Sequence, residues 1–438
     1  MDVALRGCFD DPALEVMNFL NEVVLRYPQA ISFAPGRPAE RHFDVQGSLE
    51  QVPRFVEHRA AESGWPPAAV WNDLGQYNRT NGIINALIAR QLELDEGIRV
   101  QPESIIVTVG CQEAMLLLLL GLFEPGDALL VSDPTYIGIT GLATVLGIPM
   151  IPIPTGERGL EPAAVAATIE EVRRSGRRPR AVYDIPDFNN PLGTRMSLEA
   201  RRGLLQVARE HQVLIFEDNP YGMFSFDGEP LPTLKAMDKH RDVIYLGSFS
   251  KTLYPGLRAG YLVADQEVVS RDGRRTSLAA ELSKIKSLTT VTSSPVAQAV
   301  AGALLLENGG SLRGLVRAKL PFYRANRDCM VASLDQELAG VEGVQWNRPE
   351  GGFFLTLSLP FEFDDDCLQA CARDFGVIVC PMSFFSLAGG REREVRLSFS
   401  YVTPEQIEEG IRRFARFVLN RIAAAAATAE SAAAGVRT

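Results

Sequence analysis

Six short apolar runs between residues 100 and 265 constrain the fold more than any other feature of the chain. They occupy residues 104–109, 128–131, 181–185, 213–216, 243–246 and 259–263. A strand with one solvated face alternates apolar and polar residues, because successive side chains point to opposite sides. These runs do not alternate. Each therefore reads as a strand covered on both faces, as in a parallel sheet. Stretches with helical spacing, such as 113–122 and 198–211, lie between them. The alternation implies an α/β fold, a large domain of mostly parallel sheet flanked by helices. Sheets of this kind bind ligands beyond the carboxyl ends of their strands, so the polar residues after each run are where chemistry is expected.

The pattern changes near residue 311. A long helix over 312–338 leads to short strands and helices around 353–359, 367–375 and 395–399, which reads as a smaller α+β domain. The expected division is an N-terminal segment (1–48) packing with the small domain, a large domain (49–310), the small domain (311–421) and an alanine-rich, frayed tail (422–438). With 438 residues, 46 % of them apolar, the chain can bury the cores this plan needs. Its net charge of −10 gives no sign of a nucleic-acid or anionic-membrane partner. The six cysteines show no disulfide framework, and Cys367 and Cys371 have no nearby histidine to complete a zinc site, so no metal is expected. Buried thiols in a reducing, cytoplasmic setting fit this usage. No signal peptide is apparent, and the longest apolar run, 114–123, is too short to span a membrane.

Several polar strings follow the apolar runs. Gly247-Ser248-Phe249-Ser250-Lys251-Thr252 sets a lysine among hydroxyls, with Arg258 seven residues on. This suits an amine that condenses with an aldehyde whose phosphate is held nearby, and pyridoxal phosphate is such an aldehyde. A surface lysine after two serines is the blander possibility. Val109-Gly110-Cys111-Gln112-Glu113 turns from a strand into a helix, whose first N–H groups can hold phosphate. Asp187-Phe188-Asn189-Asn190-Pro191-Leu192-Gly193 is a turn that can aim an amide at a phenolate oxygen. Glu217-Asp218-Asn219-Pro220-Tyr221 offers an acid to a pyridine nitrogen and a phenol beside it. Val395-Arg396-Leu397 places an arginine in an apolar strand, facing a substrate carboxylate or an internal salt bridge. Each string alone also fits an ordinary strand-end turn.

Taken together, in this order and spacing, the strings resemble the class I and II aminotransferases of pyridoxal-phosphate fold type I. The resemblance runs from Phe33-Ala34-Pro35-Gly36 through Gln76-Tyr77 to the Arg396 strand. It implies that Lys251 forms the Schiff base with the cofactor and carries the proton shift. Asp218 would keep the pyridine nitrogen protonated, and Asn190 and Tyr221 would bond the phenolate. Gly110, Cys111, Gln112, Ser248, Ser250 and Arg258 would cradle the phosphate, with Tyr136 stacked on the ring. Gly36, Asn190 and Arg396 would grip the substrate α-carboxylate. Tyr77, and in the same way Ser293, would reach the phosphate of a neighbouring subunit, implying a homodimer with shared sites. Relatives often carry a hydroxyl where Cys111 stands. Arg37 faces the substrate or solvent, and residues 55–72 look like an insertion.

The function this implies is a ping-pong transfer of an amino group between an L-amino acid and a 2-oxo acid. Asp187-Phe188-Asn189-Asn190-Pro191 resembles the aminoadipate, kynurenine and aromatic aminotransferase branch. Met17-Asn18-Phe19-Leu20-Asn21-Glu22, Asn81-Gly82-Ile83-Ile84-Asn85 and Val107-Thr108-Val109-Gly110-Cys111-Gln112 look like the dihydroxyphenylglycine transaminases of glycopeptide-antibiotic pathways, implying an aromatic or arylglycine substrate. A pyridoxal-phosphate oxidase, cyclase or lyase would use the same lysine. A transcription regulator built on this fold would need a DNA-binding domain ahead of Phe33, for which no basic helix is seen.

Overall fold

The computed structural model describes residues 3–11, 14–269 and 272–435; the side chains of 17–21 and 428–435 lie outside that description. The centre of the large domain is a seven-stranded sheet. Its order is Ile105–Thr108, Gly260–Val263, Val243–Ser248, Leu214–Asp218, Arg178–Asp184, Asp127–Asp133 and Met150–Pro154. The six apolar runs all became strands of this sheet. Helices Gly110–Leu122 and Leu278–Thr289 cover one face, where Ile106, Leu129, Val131, Tyr183, Phe216 and Leu246 point. Leu130, Val182, Ile215 and Val243 point the other way, toward Pro162–Arg174 and Leu198–His211. Both faces are dry, which is why the runs show no polar alternation.

Two features of the sheet were not read from the sequence. Gly260–Val263 runs antiparallel to both neighbours, with Tyr245 opposite Val263 and Ile105 opposite Val263 on the other side. The link from Ser248 is too short for a crossover helix, and a turn through Phe249–Thr252 and Pro255–Leu257 sends the chain back along its neighbour. Met150–Pro154 forms the far edge. Its two prolines disguised it, yet an edge is where a strand tolerates missing N–H donors.

Beyond Arg313–Leu338, a four-stranded antiparallel sheet has the order Gln345–Trp346, Phe354–Ser358, Glu394–Ser398 and Cys380–Pro381. Asp365–Phe375 and Pro404–Gly435 pack on it around Leu355, Leu397, Leu368, Ile411 and Phe414. Ile31–Ser32 pairs in parallel with Val377–Ile378 as a separate two-stranded sheet, which ties the N-terminal segment to the small domain. The frayed tail expected from residue 422 is instead helix as far as Gly435, since a run of alanines has the highest helix propensity; residues 436–438 lie outside the description.

Candidate active site

Five strands of the large sheet end on one edge, at Thr108, Asp133, Asp184, Asp218 and Ser248. A cleft of about 370 Å³ opens there. It is lined by Gly36, Cys111, Gln112, Tyr136, Asn190, Asp218, Tyr221, Ser248, Ser250, Lys251, Arg258 and Arg396, residues separated by up to 360 positions in sequence. Apart from Gly110, Tyr77 and Ser293, every expected site residue faces this one space.

Lys251 stands on the four-residue helix Phe249–Thr252, capped by the Ser248 hydroxyl, which accepts from the Ser250 N–H. Its Nζ donates to the Gly36 carbonyl at 3.0 Å and lies over the Tyr221 ring. Desolvation, joined by the nearby Arg396 charge, lowers its pKa to about 8, while Cys111 and Asp218 pull the other way. A sizeable neutral fraction is therefore present near neutral pH, as an amine nucleophile requires. Asp218 closes its strand and is buried. Burial raises its carboxyl to about 7 against the opposing Tyr183 hydrogen bond and Lys251 charge. Tyr183 donates to Oδ2 at 2.7 Å, and Oδ1 is buried with no partner.

Arg396 is 3 % exposed and pairs with no carboxylate among the described residues. Its guanidinium donates to Asn190 Oδ1 at 2.6 Å and to the Ala34 carbonyl at 2.5 Å, and lies between the Phe354 and Phe385 rings at 4.3 and 4.7 Å. Its Nε is buried without a partner. The internal salt bridge is thus absent. A buried cation left one donor short is a site for an anionic ligand. Asn190 is held by a turn in which Gly193 N–H donates to the Asn189 carbonyl, and buried Arg201 anchors the turn through Asp187 at 2.6 Å. Gly36 cannot be larger, because a Cβ there would stand 2.2 Å from the Phe354 ring.

At the other end of the cleft, Gly110 has φ +71°, and a Cβ would meet the Arg258 guanidinium at 2.6 Å. Glycine here lets the helix start and the guanidinium close around one point, a cradle for phosphate. The helix start is pinned from behind. Glu113 Oε2 accepts from the Val109 N–H at 2.7 Å, and fully buried Lys286 donates to both Glu113 oxygens at 2.8 and 2.9 Å.

Two of the expected side chains are already engaged within the chain. The Cys111 thiol donates to the Gly247 carbonyl at 3.2 Å, so what it has left for a phosphate is its backbone N–H. Ser293 is buried in its own chain, donating to the Val107 carbonyl and accepting from Lys286. Tyr77 lies outside the cleft of its own chain, 79 % exposed. Tyr183, Phe354, Phe385, Glu113 and Lys286 were missed. Tyr183 and the phenylalanines look like core residues in a sequence, and only the buried charge inside Leu278–Thr289 hinted at Lys286.

The pattern that defines the aminotransferase class I and II family matches residues 72–414. The chain belongs to this family. A (S)-3,5-dihydroxyphenylglycine transaminase from Amycolatopsis orientalis is 42 % identical over 95 % of this chain and 94 % of its own. The kynurenine aminotransferase of Pyrococcus horikoshii, solved with PMP, superposes with a TM-score of 0.80 at 28 % identity, covering 95 % of this chain and 97 % of that one. The α-aminoadipate aminotransferase LysN of Thermus thermophilus, solved with N-(5′-phosphopyridoxyl)-L-leucine, has a TM-score of 0.75 at 29 % identity, covering 92 % and 95 %. This aminotransferase family uses pyridoxal phosphate. The aminotransferase cleft suits that group: an unpartnered acid oxygen for the pyridine nitrogen, a glycine-walled cationic cradle for the phosphate and an amine between them.

Proposed function

We propose that this aminotransferase acts on an aromatic or arylglycine L-amino acid with a 2-oxo acid as acceptor, through the residues gathered in the cleft. The observation that carries the reading is the convergence of Lys251, Asp218 and an arginine without a counter-carboxylate on one cavity. Pyridoxal phosphate held there supplies the aldehyde and the electron sink of transamination. Gly110, Gln112, Ser248, Ser250, Arg258 and the Cys111 N–H hold its phosphate, and Asp218 holds a proton on its nitrogen. Tyr136 covers the ring, while Tyr221 and Asn190 serve the phenolate. Arg396 binds the substrate α-carboxylate, steadied by Asn190 and Gly36. Lys251, as the neutral amine, removes the Cα proton. Ile137, Ile185, Phe354 and Phe385 give the cleft apolar walls that suit an aryl group. The 42 % identity to a dihydroxyphenylglycine transaminase supports that substrate class. Exposed Tyr77 supports a homodimer in which each chain completes its partner's phosphate site.

A half-reaction tests this. Purified yellow enzyme given tyrosine or an arylglycine without oxo acid should stop after one amination of the cofactor, read by loss of the visible band. Repeated oxygen consumption would point to an oxidase instead. Lys251→Ala should lose both the band and turnover, and undiminished steady-state transamination in that variant would sink the assignment.

A further inference from the structure

Asp218 has two carboxylate oxygens in unequal surroundings. Oδ2 is taken by the Tyr183 hydroxyl at 2.7 Å, and Oδ1 has no partner. The sheet register explains this pairing. Tyr183 sits beside Phe216 on the neighbouring parallel strand, and Asp218, two residues beyond Phe216, points to the same face. A side chain on Tyr183's strand must reach diagonally across that offset, and a tyrosine is long enough to do so. Both residues are buried, so water does not compete for either oxygen.

We infer that Tyr183 is a positioning residue for the cofactor's acid partner: its hydroxyl occupies Oδ2, turns the carboxylate, and leaves Oδ1 as the single acceptor facing the cleft. This rests on the reading of Asp218 as the partner of the pyridine nitrogen. A carboxylate rotating freely in a dry pocket would offer its charge to the nitrogen in poor geometry. One fixed by a phenol offers a defined oxygen, and the phenol also favours the ionised acid. Burial pushes the Asp218 carboxyl upward, and the Tyr183 hydrogen bond and the Lys251 charge oppose it. Burial and the Asp218 charge keep Tyr183 itself protonated, so it stays a donor at all working pH values. The other titratable groups that feel Asp218 are Cys111, Tyr136 and Tyr221, all held in their neutral forms by burial. None of them hydrogen-bonds Asp218. Tyr183 alone, among the described residues, does.

The test uses the holoenzyme loaded with pyridine-¹⁵N cofactor. Tyr183→Phe removes one oxygen and keeps the ring in the core. It should move the ¹⁵N resonance toward the unprotonated value and lower kcat about tenfold to a hundredfold, with the donor KM little changed. In the cofactor-free protein, the Asp218 ¹³Cγ titration should move to higher pH. Asp218→Asn is the control: loss of the protonated nitrogen there confirms the Asp218 reading, and Tyr183→Phe should add nothing further in that background. If Asp218→Asn keeps a protonated nitrogen, the Asp218 reading fails and takes this inference with it. If Asp218→Asn loses it while Tyr183→Phe matches the wild type in resonance and kcat, the inference alone is overturned. Should the phenylalanine variant not fold, 4-aminophenylalanine at position 183 places a weaker donor there. Values between wild type and Asp218→Asn support the inference, and values equal to wild type overturn it.

Discussion

At the scale of single residues, the cleft works by placing charges where water cannot reach them. Lys251 shows this most directly. Its lowered pKa, about 8, comes from desolvation and from Arg396, so the neutral amine is present above pH 8 rather than above 10.5. The sign is clear: raising pH through 8 exposes the nucleophile. The rate at which cofactor-free protein captures pyridoxal phosphate should therefore rise with pH to a plateau, half-maximal near 8, in a stopped-flow absorbance trace. A midpoint near that of free lysine would contradict the desolvation account. Gly110 is a second case. Alanine there meets both a left-handed backbone cost of about 1–2 kcal/mol and the Arg258 guanidinium. Gly110→Ala is expected to weaken cofactor binding about tenfold, by fluorescence titration, while the sheet stays folded.

At the scale of elements, the phosphate cradle depends on a helix start held from the rear. The Lys286–Glu113 pair is buried, and Glu113 also accepts the Val109 N–H. Lys286→Met leaves a buried carboxylate unpaired and should cost about 3–5 kcal/mol in urea unfolding. Lys284→Met, two places away in the same helix, breaks only a surface pair with Glu281 and should leave the unfolding midpoint nearly unchanged. Equal losses would show that the buried pair is not what holds the turn. The elements themselves were largely legible. Runs covered on both faces must be largely apolar, and that pattern survives in one dimension, as does the helical spacing of Leu198–His211. Met150–Pro154 was hidden because two prolines look like a loop until its place at the sheet edge is known. The reversed direction of Gly260–Val263 was hidden because strand direction leaves no mark on composition.

At the scale of the whole molecule, the proposed homodimer makes a prediction that a monomer cannot satisfy. Tyr77→Phe should weaken cofactor binding, since the hydroxyl serves the partner's phosphate site. Mixing unfolded Tyr77→Phe and Lys251→Ala chains and refolding them together should restore one working site per hybrid. The Lys251 of one chain then meets the Tyr77 of the other. Activity no greater than the sum of the separate variants would place Tyr77 outside the shared site. The polar strings that name the chemistry were readable because strand ends in a parallel sheet share one edge, whatever lies between them. Lys251, Asp218, Asn190 and Arg258 could be picked out for that reason, and with them the cofactor. The tertiary structure decided how their charges are spent. It denies Arg396 a carboxylate partner, commits the Cys111 thiol to Gly247, turns Ser293 inward, and sets Tyr183 against Asp218 across two strands. Those outcomes depend on which side chains meet through space and on which are shielded from water, and neither is encoded by spacing along the chain.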